Sequence, residues 1–432
     1  MMEDEYEKLI RRLNPPRVVI DNNVCEDATV IQVDSVNKNG ILLQVVQLLT
    51  DMNLVITKAY ISSDGGWFMD VFHTVDYHGK KIRDKDVIDY IKKSIESDTW
   101  FTPSLRESVG VMPTEDHTSI ELTGADRPGL LSDVCAVLAD LHCNVVNAEI
   151  WTHNARAAAV VNVTDESTLH AIEDPKRLWT IKKLLSNVLK ENGDVEKAKI
   201  LSLPVITHRD RRLHKLMFED RDYEKLDGTV DGRVEDKNLR PDITVINCVQ
   251  KDYTVITMRT KDRPKLLFDI VCTLTDMQYV VFHGMVTTGS TEAYQEFYIR
   301  HADGFPISSE AERDRVIQCL EAAIARRASE GLELVVCTDD RVGLLSDITR
   351  VFREYGLTIR RAEVSTKSGK AKDTFYVTDV EGNPVNQRTI DSIAQQVGPN
   401  VLQVKQNLDL QPKPHHETAI GFFLGNFFRY CR

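Results

Sequence analysis

Asp126-Arg-Pro-Gly-Leu-Leu-Ser132 is one of four related stretches in the chain, and their recurrence decides the fold. The others are Asn37-Lys-Asn-Gly-Ile-Leu-Leu43, Asp262-Arg-Pro-Lys-Leu-Leu-Phe268 and Asp340-Arg-Val-Gly-Leu-Leu-Ser346. With the fourth position of each as origin (Gly40, Gly129, Lys265 and Gly343), apolar residues fall at the same offsets. The second copy has Leu130, Leu131, Val134, Val137, Leu138 and Leu141; the fourth has Leu344, Leu345, Ile348, Val351, Phe352 and Tyr355. The first copy follows suit from Ile41 to Met52, and the third departs only at Thr273. That spacing is one face of a helix.

The register continues downstream. A small residue stands nineteen past each origin: Ala59 (59−40), Ala148 (148−129), Gly284 (284−265) and Ala362 (362−343). Each lies in a β-branched run, and a further strand ends at Asp76, Asp165, Asp303 and Asp379. A second amphipathic helix follows, from Asp86, Lys176, Glu310 and Thr389. Each unit therefore reads strand, loop, helix, strand, strand, helix. For the last strand of a βαββαβ unit only Val401-Leu-Gln-Val404 offers itself. Three β-like runs precede a first strand instead: Arg17–Ile20, Ser108–Val111 and Asp242–Ile246. These are expected to form hairpins with the strand that follows and to fill the vacant edge.

The expected division is module 1 at 17–105, module 2 at 106–195, a charged linker at 196–240, module 3 at 241–330, module 4 at 331–410 and a tail at 411–432. The linker contains His208-Arg-Asp-Arg-Arg212, a charge run expected to be solvated. The third and fourth origins lie 78 apart (343−265), so modules 3 and 4 are expected to abut as one rigid pair.

Composition narrows the function. A net charge of −12 argues against gripping a phosphate backbone, so no nucleic acid is expected. The eight cysteines form no CxxC pair and no zinc spacing; they read as buried thiols, and no metal or cofactor is expected. No stretch is long and apolar enough to be a transmembrane segment, and Ile420–Phe428 reads as a docking tail for a protein partner. The amino terminus has no secretory signal, and cytoplasm or nucleus is the expected location. P-loop, dinucleotide, zincin and nucleophile-elbow patterns are all missing, so the chain is not expected to be an enzyme.

The loop itself suits a small zwitterion. A helix amino terminus presents unpaired amides and partial positive charge, which favour a carboxylate. Gly129 allows close approach of a ligand, and Pro128 fixes the backbone before it. Asp126 either holds an ammonium group or caps the helix.

These residues resemble the ACT domain, and four copies over about residues 17 to 410 resemble the plant ACT-domain-repeat (ACR) proteins. Ile61–Asp70 and Asn147–His153 belong to the same likeness. The resemblance implies an α+β fold of four tandem ferredoxin-like modules, antiparallel sheets with helices on one face, paired side by side. Pairing within one chain or in a homodimer is open. It also implies a free amino acid bound between paired modules, where a loop Asn and an Asn of the facing second strand cooperate. The matching positions in the second copy are Asp126, Arg127, Pro128, Gly129, Leu130 and, on the strand, Asn144. In the fourth they are Asp340, Gly343, Leu344 and Thr358. Copies one and three carry Val55 and Val280 on the strand, and Lys265 replaces the glycine in the third, so these two read as structural. Two functions follow: an amino-acid sensor, or an interaction scaffold whose loops no longer bind a ligand.

Overall fold

The computed structural model describes residues 16–36, 40–64, 67–96, 117–189, 198–201, 208–224, 241–248, 251–289, 291–327, 331–398 and 401–405. Module 1 comprises β1 (Arg17–Asp21), β2 (Thr29–Val36), α1 (Ile41–Asp51), β3 (Val55–Asp64), β4 (Trp67–Val75) and α2 (Lys85–Glu96). Module 2 comprises β5 (Thr118–Ala125), α3 (Leu130–Asp140), β6 (Cys143–His153), β7 (Arg156–Asp165), α4 (Pro175–Leu189) and β8 (Ala198–Leu201). A connecting helix follows, α5 (Arg209–Glu219). Module 3 comprises β9 (Asp242–Cys248), β10 (Tyr253–Lys261), α6 (Leu266–Asp276), β11 (Tyr279–Thr288), β12 (Glu292–His301) and α7 (Glu310–Arg326). Module 4 comprises β13 (Leu332–Asp339), α8 (Leu344–Glu354), β14 (Leu357–Lys367), β15 (Lys370–Asp379), α9 (Gln387–Val397) and β16 (Leu402–Lys405).

The helical faces fall where the spacing puts them. On α8, Leu344, Leu345, Ile348, Val351 and Phe352 are buried, while Tyr355 just past its end is exposed. Thr273, the one polar residue in the third face, is buried on α6 and donates its hydroxyl to the Asp269 carbonyl at 2.9 Å. A hydroxyl is admitted there because the helix backbone satisfies it.

The modules pair alternately, not consecutively. One eight-stranded antiparallel sheet runs β1-β2-β4-β3-β11-β12-β10-β9 and joins modules 1 and 3. The other runs β16-β13-β15-β14-β6-β7-β5-β8 and joins modules 2 and 4. The expected pairing of modules 3 and 4 is therefore wrong. A short connection fixes where the next strand begins, but the partner of an open edge is chosen by side-chain fit.

That fit is visible in the register. Across the first seam Ala59 lies opposite Val286 and Gly284 opposite Ile61. Across the second, Ala148 lies opposite Val364 and Ala362 opposite Ile150. The repeated small residue thus meets a branched residue two places further along the partner strand, twice per seam. All eight point into the core under the helices.

Edge strands were read well in two modules. β1 pairs with β2 and β9 with β10, as the hairpin reading requires. In module 2 the edge next to β5 is filled by β8, which was not foreseen. The run Ser108–Val111 lies outside the described residues, as do Asn37–Asn39 of the first loop and the whole tail after residue 405.

The charge run at 208–212, expected to be solvated, is instead half-buried or buried. On α5, Leu213, Leu216 and Met217 pack with Trp151, Ala158 and Val160 on the face of the second sheet away from its own helices. The polar residues of α5 reach every side. His208 pairs with Asp51 of α1, Arg211 with Asp276 of α6 at 2.5 Å, and Arg212 with Glu121 of β5 at 2.5 Å. The helix layer of the first sheet and the bare face of the second are thereby bolted together.

Gly284 tests the seam. A Cβ there would sit 3.0 Å from Phe297 Cδ1, 3.1 Å from Ile61 Cδ1 and 3.3 Å from the Glu296 carbonyl. Gly284→Val should therefore overpack the joint of modules 1 and 3 and destabilise by about 1–3 kcal/mol. Thermal unfolding followed by circular dichroism checks this; an unchanged Tm would show that the seam has slack.

Candidate functional site: two clefts shared by modules 2 and 4

All four loops enter their helix in the same way. Gly40, Gly129, Lys265 and Gly343 are the N-caps, with φ of 86°, 81°, 65° and 80°. Glycine reaches this left-handed region freely, and Lys265 does so at a cost. None of the four helices has a side-chain cap. This answers the question left open for Asp126: it does not cap α3, nor does Asp340 cap α8.

The seam of modules 2 and 4 brings each loop against the partner module. The first cleft is partly open to solvent. Asp126, Arg127, Gly129 and Leu130 form one wall; Phe352, Arg353, Leu357 and Ile359 of module 4 form the other. The second cleft is the counterpart: Asp340, Arg341, Gly343 and Leu344 face Cys143, Asn144 and Val145 of module 2. Each cleft is thus a loop of one module and a strand of the other.

This redistributes the sequence candidates. Asn144 belongs with the Asp340 loop, not with the Asp126 loop of its own copy. Thr358 holds the register position of Asn144 on β14, but its neighbours Leu357 and Ile359 line the first cleft and Thr358 is not among the lining residues. Its buried hydroxyl finds no hydrogen-bond partner among the described residues. Pro128 is exposed and does not line the cleft.

The arginines of the loops are braces. Arg127 pairs with Asp133 at 2.7 Å and Arg341 with Asp347 at 2.5 Å. The acid stands four past the origin in both copies, and Asp269 repeats it in the third. That spacing was open to reading in the sequence and went unused. Asp133 also receives Arg353 from α8 at 2.8 Å, so a module 4 side chain lies across the module 2 loop. A Cβ on Gly129 would sit 2.6 Å from Arg353 Cδ.

Electrostatics distinguish the acids. Burial pushes the Asp126 carboxyl up from its ordinary value, with the Arg360 charge and the Thr152 hydroxyl pulling it back. In the second cleft burial pushes Asp373 up to about 7, and the nearby Asp340 charge adds to the rise.

The third loop is already filled. Asp210 of α5 accepts from Lys265 Nζ at 2.8 Å and also pairs with Arg327. Beside it, fully buried Asp269 takes His214 Nε2–H at 2.7 Å and Arg263 at 2.6 Å. Burial opposes its charge, but Arg327, Arg263 and His214 together hold this carboxyl below the usual range. Burial also lowers His214, despite the pull of Asp269; its Nδ1 accepts from Arg326 at 3.0 Å, which fits a neutral ring. Lys265, the departure from the loop pattern, is thus the partner of an internal carboxylate.

Comparison with known proteins agrees with this architecture. The ACR family N-terminal ACT domain matches residues 24–102, and the ACT domain matches 118–174 and 333–398. The chain is 65% identical to ACT domain-containing protein ACR6 of Arabidopsis thaliana, over 99% of this chain and 100% of that one. It belongs to the ACR family of ACT-domain proteins. Another relative of the family, ACT domain-containing protein ACR4 of the same plant, is 60% identical over 99% of this ACR chain and 96% of its own. A solved structure, aspartate kinase from Synechocystis, is 15% identical over 89% of the ACR chain and 56% of its own, with a TM-score of 0.15, too low to bear on function.

Two outcomes check the electrostatics. Asp210→Ala removes the partner of Lys265 and leaves Arg327 only its longer contact to Asp269 at 3.4 Å, and should cost about 3–5 kcal/mol, whereas Asp133→Ala, in a partly exposed cluster, should cost about 1 kcal/mol or less. Calorimetric unfolding of both variants measures the contrast. For Asp373 the pKa is raised on folding, so its contribution is intact below the ordinary carboxyl range and is lost as pH climbs toward 7. Asp373→Asn should therefore raise Tm at pH 8 and leave it nearly unchanged at pH 4; equal shifts at both would contradict this.

Proposed function

We propose that this ACR protein is a non-catalytic regulatory protein that binds free amino acids in the two clefts between modules 2 and 4. The observation that carries the reading is the construction of those clefts. Each sets an uncapped helix amino terminus and a left-handed glycine beside an aspartate, against a strand of the other module. A carboxylate suits the amides and an ammonium suits the aspartate. Binding spans both modules, so ligand favours whichever arrangement of the pair fits it, and the change is passed on by linkage.

A scaffold reading rests on a different surface. On the outer face of the first sheet Tyr60 and Met285 are exposed on the strands that meet at the seam, with Trp67 and Met69 beside them on β4. Exposed apolar groups of this kind mark contact sites for other proteins.

Thermal unfolding of the full chain against the twenty amino acids separates the two. A ligand at 100 times its Kd stabilises by about 2.7 kcal/mol. The sensor reading expects a rise in Tm with a few amino acids, reduced by Gly129→Val, which forces a branched residue to φ near 81°. No rise with any amino acid would defeat the sensor reading and leave the scaffold.

A further inference from the structure

Among the positions at which the two clefts differ, one sets a carboxyl against a methyl group. Thirty residues past the origin stands Ala159 in the first and Asp373 in the second (159−129 and 373−343), each lining its cleft. Asp373 is 2% exposed. Its Oδ1 accepts a long hydrogen bond from the Ser365 amide at 3.3 Å. A carboxyl this deep needs either a proton or a cation.

Among the described residues lining the cleft, none offers Asp373 a free cation. Arg341, the one basic residue lining the cleft, is held by Asp347 at 2.5 Å. Asp340 from the loop before α8 adds negative charge. Cys135 from α3 and Cys143 from β6 also line the cleft; burial pushes their thiols up to about 12 and about 11, so both are neutral near pH 7. Asn144, Ser346 and Thr366 complete the polar lining. In the first cleft the corresponding space is bounded by Leu122, Ile150, Ala159, Val161, Phe352 and Ile359.

We infer that the second cleft takes an amino acid with a cationic side chain, its ammonium or guanidinium group paired with Asp373, while the first takes an apolar one. This rests on the reading of the clefts as amino-acid sites. Backbone recognition is common to both, through Asp340 or Asp126 and the helix amino terminus. The side chain then meets either a buried carboxylate or a hydrocarbon wall. Because Asp373 must give up its proton to pair, binding of the cation is linked to pH in the neutral range.

Isothermal titration of the full chain with L-lysine, L-norleucine and L-leucine tests it. Norleucine keeps the length of lysine without the ammonium group. Lysine should bind at pH 8, about tenfold more weakly at pH 6 as the acid regains its proton, and at least tenfold more weakly in Asp373→Asn. Leucine should bind Asp373→Asn as it binds the natural chain and be lost in Gly129→Val, where lysine is retained. Norleucine matching lysine, or lysine indifferent to Asp373→Asn while leucine still binds, would overturn the charge assignment and spare the clefts. Binding of none of the three would overturn both. Asp373→Ala, which copies Ala159, serves if the asparagine variant fails to fold.

Discussion

Each repeat leaves the edge of its second strand unpaired, and the rest of the molecule follows from how that edge is covered. An exposed row of amides and carbonyls invites pairing with whatever strand arrives. Here β3 meets β11 and β6 meets β14, antiparallel and in a register fixed by small residues set against branched ones. A slip of one residue would turn Ile61, Ile150, Val286 and Val364 out of the core. The clefts are by-products of the same register, since the seam brings the loop before each helix against the partner's strand. Neither cleft exists in an isolated module.

Repetition made much of this legible. The offsets from the four origins located the first helices, the seam strands and the loops from residue spacing alone. What spacing could not give was partner choice. Modules 3 and 4 are adjacent in sequence, but the edges that fit belong to 1 with 3 and 2 with 4, and fit is a property of two surfaces at once. Asn144 was grouped with its own copy for the same reason, whereas it lines the cleft of the Asp340 loop from the facing copy. β8 escaped notice because Ala198–Leu201 is four residues long with no clear alternation.

The charged segment before module 3 failed for another reason. Charges without an apolar period are normally solvated, because an unpaired charge is costly to bury. The partners of Asp210 and Arg212 are 55 to 117 and 91 residues away, so no local pattern announces them. Once folded, acids and bases on α5, α6 and α7 satisfy one another, and Lys265 accepts a strained backbone in return for a partner. Such a network sets the geometry of the joint more than it adds net stability. It also turns the third of four related loops into an anchor, and this explains why the third copy departs from the pattern.

The alternation of pairs also has a consequence for how the chain is made. Module 1 leaves the ribosome with its edge bare, and its partner strand in module 3 is more than two hundred residues further on. Module 2 in turn awaits module 4. From the synthesis of module 2 until module 3 arrives, two incomplete sheets coexist, each displaying a strand edge tuned to accept the same kind of neighbour. The matching of small with branched residues recurs in all four repeats, so it aligns whichever two edges meet, and the late-arriving partner must be told from the nearer one by contacts outside the seam.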